Sequence, residues 1–140
     1  MPLKANDTDG AVTRKRLETW AAGREKVTIV AATDAATVQT AAQLSGAARV
    51  VYTMTPSTGR TLTTPTGAQL GAGFTDEAVG TSFEFTVVNV AAATHAITLT
   101  AGASGVTLLG VAGMATVAAA SSATFVGVFT AADTVSIYRK

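Results

Sequence analysis

Few side chains in this 140-residue chain can carry chemistry, and they are scattered along it. The single histidine, His95, opens the segment His95-Ala96-Ile97-Thr98-Leu99-Thr100 with no acidic residue near it in sequence, so a metal site or a triad lacks its usual partners. Ser82, His95 and Asp133 could meet as nucleophile, base and acid only through the fold, because no nucleophile elbow surrounds the serine. Asp76-Glu77 is the one adjacent carboxylate pair; neighbouring side chains point apart, and the pair reads as solvated loop charge. Glu84 alternates with Phe83 and Phe85, which turns it toward solvent or a subunit contact, with Arg49, Arg60 or Arg139 as candidate partners across an interface. Gly71-Ala72-Gly73-Phe74 lacks the later glycine, lysine and hydroxyl of a phosphate-cradling loop. The absence of cysteine removes disulfides, thiolate metal ligands and cysteine nucleophiles together. These residues predict no enzyme, no cofactor, no metal site and no small-molecule substrate, with a site assembled between subunits left open.

Charge is distributed unevenly. Ten of the nineteen charged residues fall within the first 26 positions, although the net charge is only +1. Residues 1–24 read as a polar N-terminal arm and 25–140 as a β-rich domain. Arg14-Lys15-Arg16 with Trp20 could hold phosphates and stack a base, but Asp7, Asp9 and Glu18 interleave with them, so no nucleic-acid partner is expected. Val12, Arg16 and Trp20 lie four apart with Leu17 and Ala21 beside them, the spacing of a short helix. Such a segment either packs on its own domain or orders against a partner. Docking is the expectation, with Lys4, Arg14, Lys15, Arg16, Leu17 and Trp20 as the contact residues. The first residues reach Asp7 without an apolar core and do not read as a signal peptide. The longest apolar stretch, Val106 to Ala120, is broken by Thr107, Gly110, Gly113 and Thr116 and falls short of the ~18 residues of a membrane span, so no membrane partner is expected.

The elements that must position these residues are built mostly from small side chains. Ala, Thr, Val and Gly fill more than half of the chain, against five Phe, two Tyr and one Trp. Charged residues make up 14%, far below the roughly one quarter usual for soluble domains. An uncharged, Thr-rich surface suits burial against identical neighbours, and the composition predicts a homo-oligomer.

Val27-Thr28-Ile29-Val30 reads as a strand. Thr33-Asp34 could cap a helix through Ala35 to Leu44, or the same residues form a loop and a strand. Val50 to Met54 reads as a strand closed by the turn Pro56-Ser57-Thr58-Gly59, and Leu62 as an extended link. Thr64-Pro65-Thr66 predicts a short helix to about Phe74. Ala-Gln-Leu occurs at 42–44 and again at 68–70, either a degenerate repeat or a coincidence in an Ala-rich chain. Phe83, Phe85 and Val87 alternate with polar residues, and Ile97 and Leu99 alternate with Thr98 and Thr100, which predicts an antiparallel pair. Further short strands follow at Val106 to Leu109, Ala115 to Val117, Thr124 to Phe129 and Thr134 to Tyr138. Their spacing predicts an all-β fold, an antiparallel sandwich or barrel of jelly-roll type with one or two short helices and the N-terminal arm.

Thr64-Pro65-Thr66-Gly67-Ala68-Gln69-Leu70, Val79 to Asn89, His95 to Ala101, Gly105 to Leu109 and Thr124 to Tyr138, with its Val135-Ser136-Ile137-Tyr138 ending, resemble small virion-surface modules of tailed bacteriophages. The likeness covers roughly residues 62 to 140 and rests on strand and turn phrases. It implies a capsid decoration, or cement, protein: a homotrimer on the outer capsid surface of the virion, assembled in the host cytoplasm and docked on the major capsid protein by its arm. Related modules also sit on fibres, so the alternative is a fibre or receptor-binding module contacting the host surface. The scarcity of aromatic side chains disfavours carbohydrate stacking in that role.

Overall fold

From Val27 onward the chain winds between two sheets. The computed structural model describes residues 27–47, 49–74, 77–111 and 113–140. Strand β1 (Val27–Ala31) lies in one sheet and β2 (Thr37–Val38) in the other. The step repeats with β3 (Arg49–Met54) and β4 (Arg60–Thr63), then with β5 (Ser82–Asn89) and β6 (Ile97–Thr100). Strands one coil apart run in the same direction, so β1–β3–β5 and β2–β4–β6 are parallel sets. β7 (Val106–Leu109), β8 (Thr116–Val117), β9 (Ser121–Ala131) and β10 (Thr134–Arg139) complete the sheets. The larger has the order β1-β3-β5-β9-β10-β7, the smaller β2-β4-β6-β8.

Among the described residues the chain is β-rich with two short helices, as expected, but its sheets are mixed and the antiparallel, jelly-roll-like arrangement does not form. Five of the eight strand pairings among the described residues are parallel; β5–β9, β9–β10 and β6–β8 are antiparallel. β5 and β6, expected to pair with each other, lie in different sheets. Alternation states which face of a strand is buried and is silent about its neighbour, whereas a parallel partner needs only a long enough crossover. Here the arch 90–96 provides the crossing, and Asn89 holds it. This buried amide donates from Nδ2 to the carbonyls of His95 (2.8 Å) and Val117 (3.0 Å) and accepts at Oδ1 from the Ala91 N–H (3.1 Å).

The return crossings carry helices α1 (Ala41–Ser45) and α2 (Gly67–Gly71). Five residues are too few for a helix to persist alone. Each is held by a capping box, Thr40 with Gln43 and Thr66 with Gln69, and by a fully buried leucine, Leu44 or Leu70. The two Ala-Gln-Leu phrases are therefore a structural repeat: the glutamine closes the box and the next residue enters the core. The helix expected after Thr33-Asp34 begins later, at Thr40, and Thr37–Val38 is strand. Asp34 caps nothing because its carboxylate is taken by Ser57 and Arg60.

The inner faces share one core. Phe85 and Phe125 stack at 5.3 Å, Phe83 lies 6.3 Å from Phe85, and Phe74 meets Phe129 edge-on at 5.3 Å. Gly127 sits against the Phe83 ring, in the space a Cβ would occupy, which is why a glycine interrupts β9. Gln39 is buried at 2% exposure with neither amide atom hydrogen-bonded.

Each buried polar group left without a partner costs about 1–3 kcal/mol. Asn89→Ala leaves the His95 carbonyl and the Ala91 N–H without their side-chain partner, removes a bond to the Val117 carbonyl, and is expected to lower unfolding stability by about 3 kcal/mol. Gln39→Leu removes an orphaned amide and is expected to raise it by about 1 kcal/mol. Denaturant midpoints at unchanged m-value measure both.

Candidate interaction surface

The fold separates the residues that could have formed a catalytic set. Ser82 opens β5, while His95 follows its far end, its carbonyl held by Asn89. Seven residue steps of ~3.3 Å put them roughly 20 Å apart. Asp133 lies at the Ser82 end, in the two-residue turn between β9 and β10, with φ 54°. Its N–H donates to Glu77 Oε1 at 2.8 Å, so Glu77 secures a turn; Asp76 lies outside the described residues. Gly71 closes α2 against the Glu77 and Asp133 carboxylates, surroundings that repel a phosphate. Among the described residues no three His, Asp or Glu side chains gather as a metal site, and no helix is long and apolar enough to cross a membrane.

Glu84 does find a cation among those expected, but within its own chain. Arg49 on the adjacent β3 lies 3.8 Å away and Lys140 lies 3.0 Å away. Arg139 instead donates to the carbonyls of Met114 (3.2 Å) and Thr116 (3.0 Å). Arg60 is committed to Asp34 at 2.6 Å. That contact, together with the Ser57 hydroxyl (2.5 Å) and N–H (3.1 Å), ties arch 32–36 to arch 55–59. The Arg60 hydrogen bond foremost, then those of Ser57, hold the Asp34 carboxyl far below the usual carboxylate range; the Arg60 guanidinium is raised in turn. The perturbed group is thus a clamp between loops. The six proposed docking residues Lys4, Arg14, Lys15, Arg16, Leu17 and Trp20 lie outside the described residues, as does the arm they define.

What the body does present is two outer sheet faces of different character. On the smaller sheet, outward positions are mostly hydroxyls: Thr61, Thr98 and Thr116 form one row, and Val38, Thr63 and Thr100 another. The Thr63 and Thr100 hydroxyls pair at 3.1 Å. On the larger sheet one row crosses all six strands: Val27, Arg49, Glu84, Val126, Tyr138 and Leu109. Neighbouring rows mix apolar and hydroxyl side chains: Ile29, Val51, Thr86 and Thr124 in one, Thr53, Val88 and Ser122 in the next, and Val128 beside Ser82 on the other side. Ile29 is 72% exposed, and Val27, Leu109 and Tyr138 are also exposed.

No protein-family model, no curated protein and no solved structure matches the chain. Its surface is therefore the argument for its function. Sequence reasoning singled out Glu84 but missed the face around it. A partial signal was present: after Thr124, the run Phe125-Val126-Gly127-Val128-Phe129 has no polar alternate, the pattern of a strand covered on both sides.

A carboxyl with a lowered folded-state pKa stabilises the fold above its ordinary range, roughly pH 4, and loses that contribution as pH falls through the lowered value. Asp34→Asn is therefore expected to be less stable than the parent at neutral pH. The difference should persist through the ordinary aspartate range and close only in strong acid. Unfolding midpoints measured across that range test the sign.

Proposed function

We propose that this chain is a structural virion protein of the capsid-decoration type, which trimerises and docks on the outer surface of a phage capsid to reinforce it. The observation that carries this reading is the broad, charge-poor outer face of the six-stranded sheet, on a body that holds nine charged residues after position 26. Such a body gains little from solvent and much from being covered. Its polar groups serve turns, arches and caps, which fits a role in assembly better than one in catalysis. Residues 1–24, dense in charge and carrying Leu17 and Trp20, are the proposed anchor on the major capsid protein. The stacked parallel coils of β1 to β6 favour a second reading, a module of a capsid or tail fibre, since coils of this kind extend by repetition.

Cosedimentation with purified, expanded, undecorated capsids decides between the two. A decoration protein is expected to saturate them at a multiple of three copies per site and to raise their resistance to heat. Removal of residues 1–24 is expected to abolish binding, and undiminished binding would reject the arm as the anchor. Binding to host cells with no affinity for capsids would establish the fibre reading instead.

A further inference from the structure

We infer that the outer face of the six-stranded sheet is where copies of this chain meet, three such faces turned toward a common threefold axis. The inference deepens the proposed function and rests on its reading of the chain as a self-assembling module.

Three observations point to another copy as the occupant. The first is the pattern of β9 from Phe125 to Phe129, which departs from the alternation with Ser82, Glu84 and Thr86 on the adjacent β5. Strands covered on both sides read as continuous apolar runs, whereas a sheet wetted on one side alternates. β9 places Phe125 and Phe129 inward and Val126 and Val128 outward, and among the described residues only the inner side is covered by the second sheet. The opposite sheet turns mostly hydroxyls outward, at Thr61, Thr98, Thr116, Thr63 and Thr100, with Val38 as the exception.

The second observation is area. Six strands ~4.8 Å apart, with about six residues each at ~3.3 Å, give a face on the order of 600 Å² in projection, close to the ~800 Å² per partner of a standard interface. The third is charge. The centre of the face holds Glu84 between Arg49 and Lys140, so its one carboxylate is already matched within the chain. A nearly neutral, self-matched face neither repels its own copy nor selects a strongly charged partner.

The test uses the full chain and two substitutions on this face. Ile29→Lys alters a residue so exposed that the single chain does not depend on it, and Val126→Lys alters the centre. Thr61→Lys on the smaller sheet is the control. Native mass spectrometry and sedimentation velocity are expected to show a three-chain species for the parent and for Thr61→Lys. Both face variants should lose it, a threefold drop in mass to 14.0 kDa, with far-ultraviolet circular dichroism unchanged. Should Val126→Lys misfold, Ile29→Lys decides alone. A single-chain parent, as would follow if residues 1–26 cover the face from within, overturns the inference, and so does a face variant that keeps its assembly. Capsid cosedimentation of the same samples separates the two readings. Assembly broken by Ile29→Lys in a protein without capsid affinity sinks the decoration role alone; capsid binding by an Ile29→Lys trimer sinks the face alone.

Discussion

Each crossing between the sheets passes through an arch whose peptide groups have left the ladder of one sheet and not yet joined the other. Everything else in the fold depends on how those groups are satisfied, because a buried amide without a partner is costly. Asn89 answers this at the third arch by binding three backbone groups at once. Asp34 answers it between the first and second by holding Ser57 and Arg60. The Arg60 N–H donates to the Ala96 carbonyl at 3.0 Å, joining the second arch to the third. The arches are thereby stacked, and stacked arches impose the parallel register of the strands on either side.

Within that frame the core can be assembled from modest materials. Aromatic rings concentrate where β5 meets β9, with Phe74 closing one end, and the two helices each contribute one leucine. Gly127 leaves room for the Phe83 ring, so a large side chain on one strand is balanced by none on the next. Tyr52, Met54, Leu62 and Leu99 fill other strand positions beside the β-branched Val50, Val87, Ile97, Val135 and Ile137.

Because the two sheets differ in what they turn outward, the molecule is not equivalent on its two sides. The threonine face has hydroxyls that can bond to one another or to water. The valine-bearing face mixes apolar side chains with hydroxyls, among them the Thr86–Thr124 pair at 2.9 Å, and carries the Glu84 ion pairs at its centre. This asymmetry, together with a body short of charge, sets the reading of the chain as an assembly unit. It also turns attention from the arm, which the sequence makes conspicuous, to a flat surface that it does not.

Much of the fold was legible from local pattern. Phe83-Glu84-Phe85 alternation, the β-branched run at Val27 and the turn at Pro56 to Gly59 each located their element, and the absence of cysteine limited what chemistry was open. The threonine caps were partly legible. The Thr64-Pro65-Thr66 phrase marks a helix, but Thr66 caps it, Pro65 precedes the cap and the helix ends at Gly71 rather than near Phe74. Thr33 gave way to Thr40 because a distant arginine and serine claimed Asp34. Strand partnership was not legible, since backbone hydrogen bonds carry no side-chain signature and the same alternation serves parallel and antiparallel neighbours. Nor was the shared outer face, because Val27, Arg49, Glu84, Val126, Tyr138 and Leu109 lie far apart in sequence and become one row only through the register of six strands. Local residue order determined the elements and the side each one buries; the satisfaction of the arches, a long-range matter, decided which strands became neighbours.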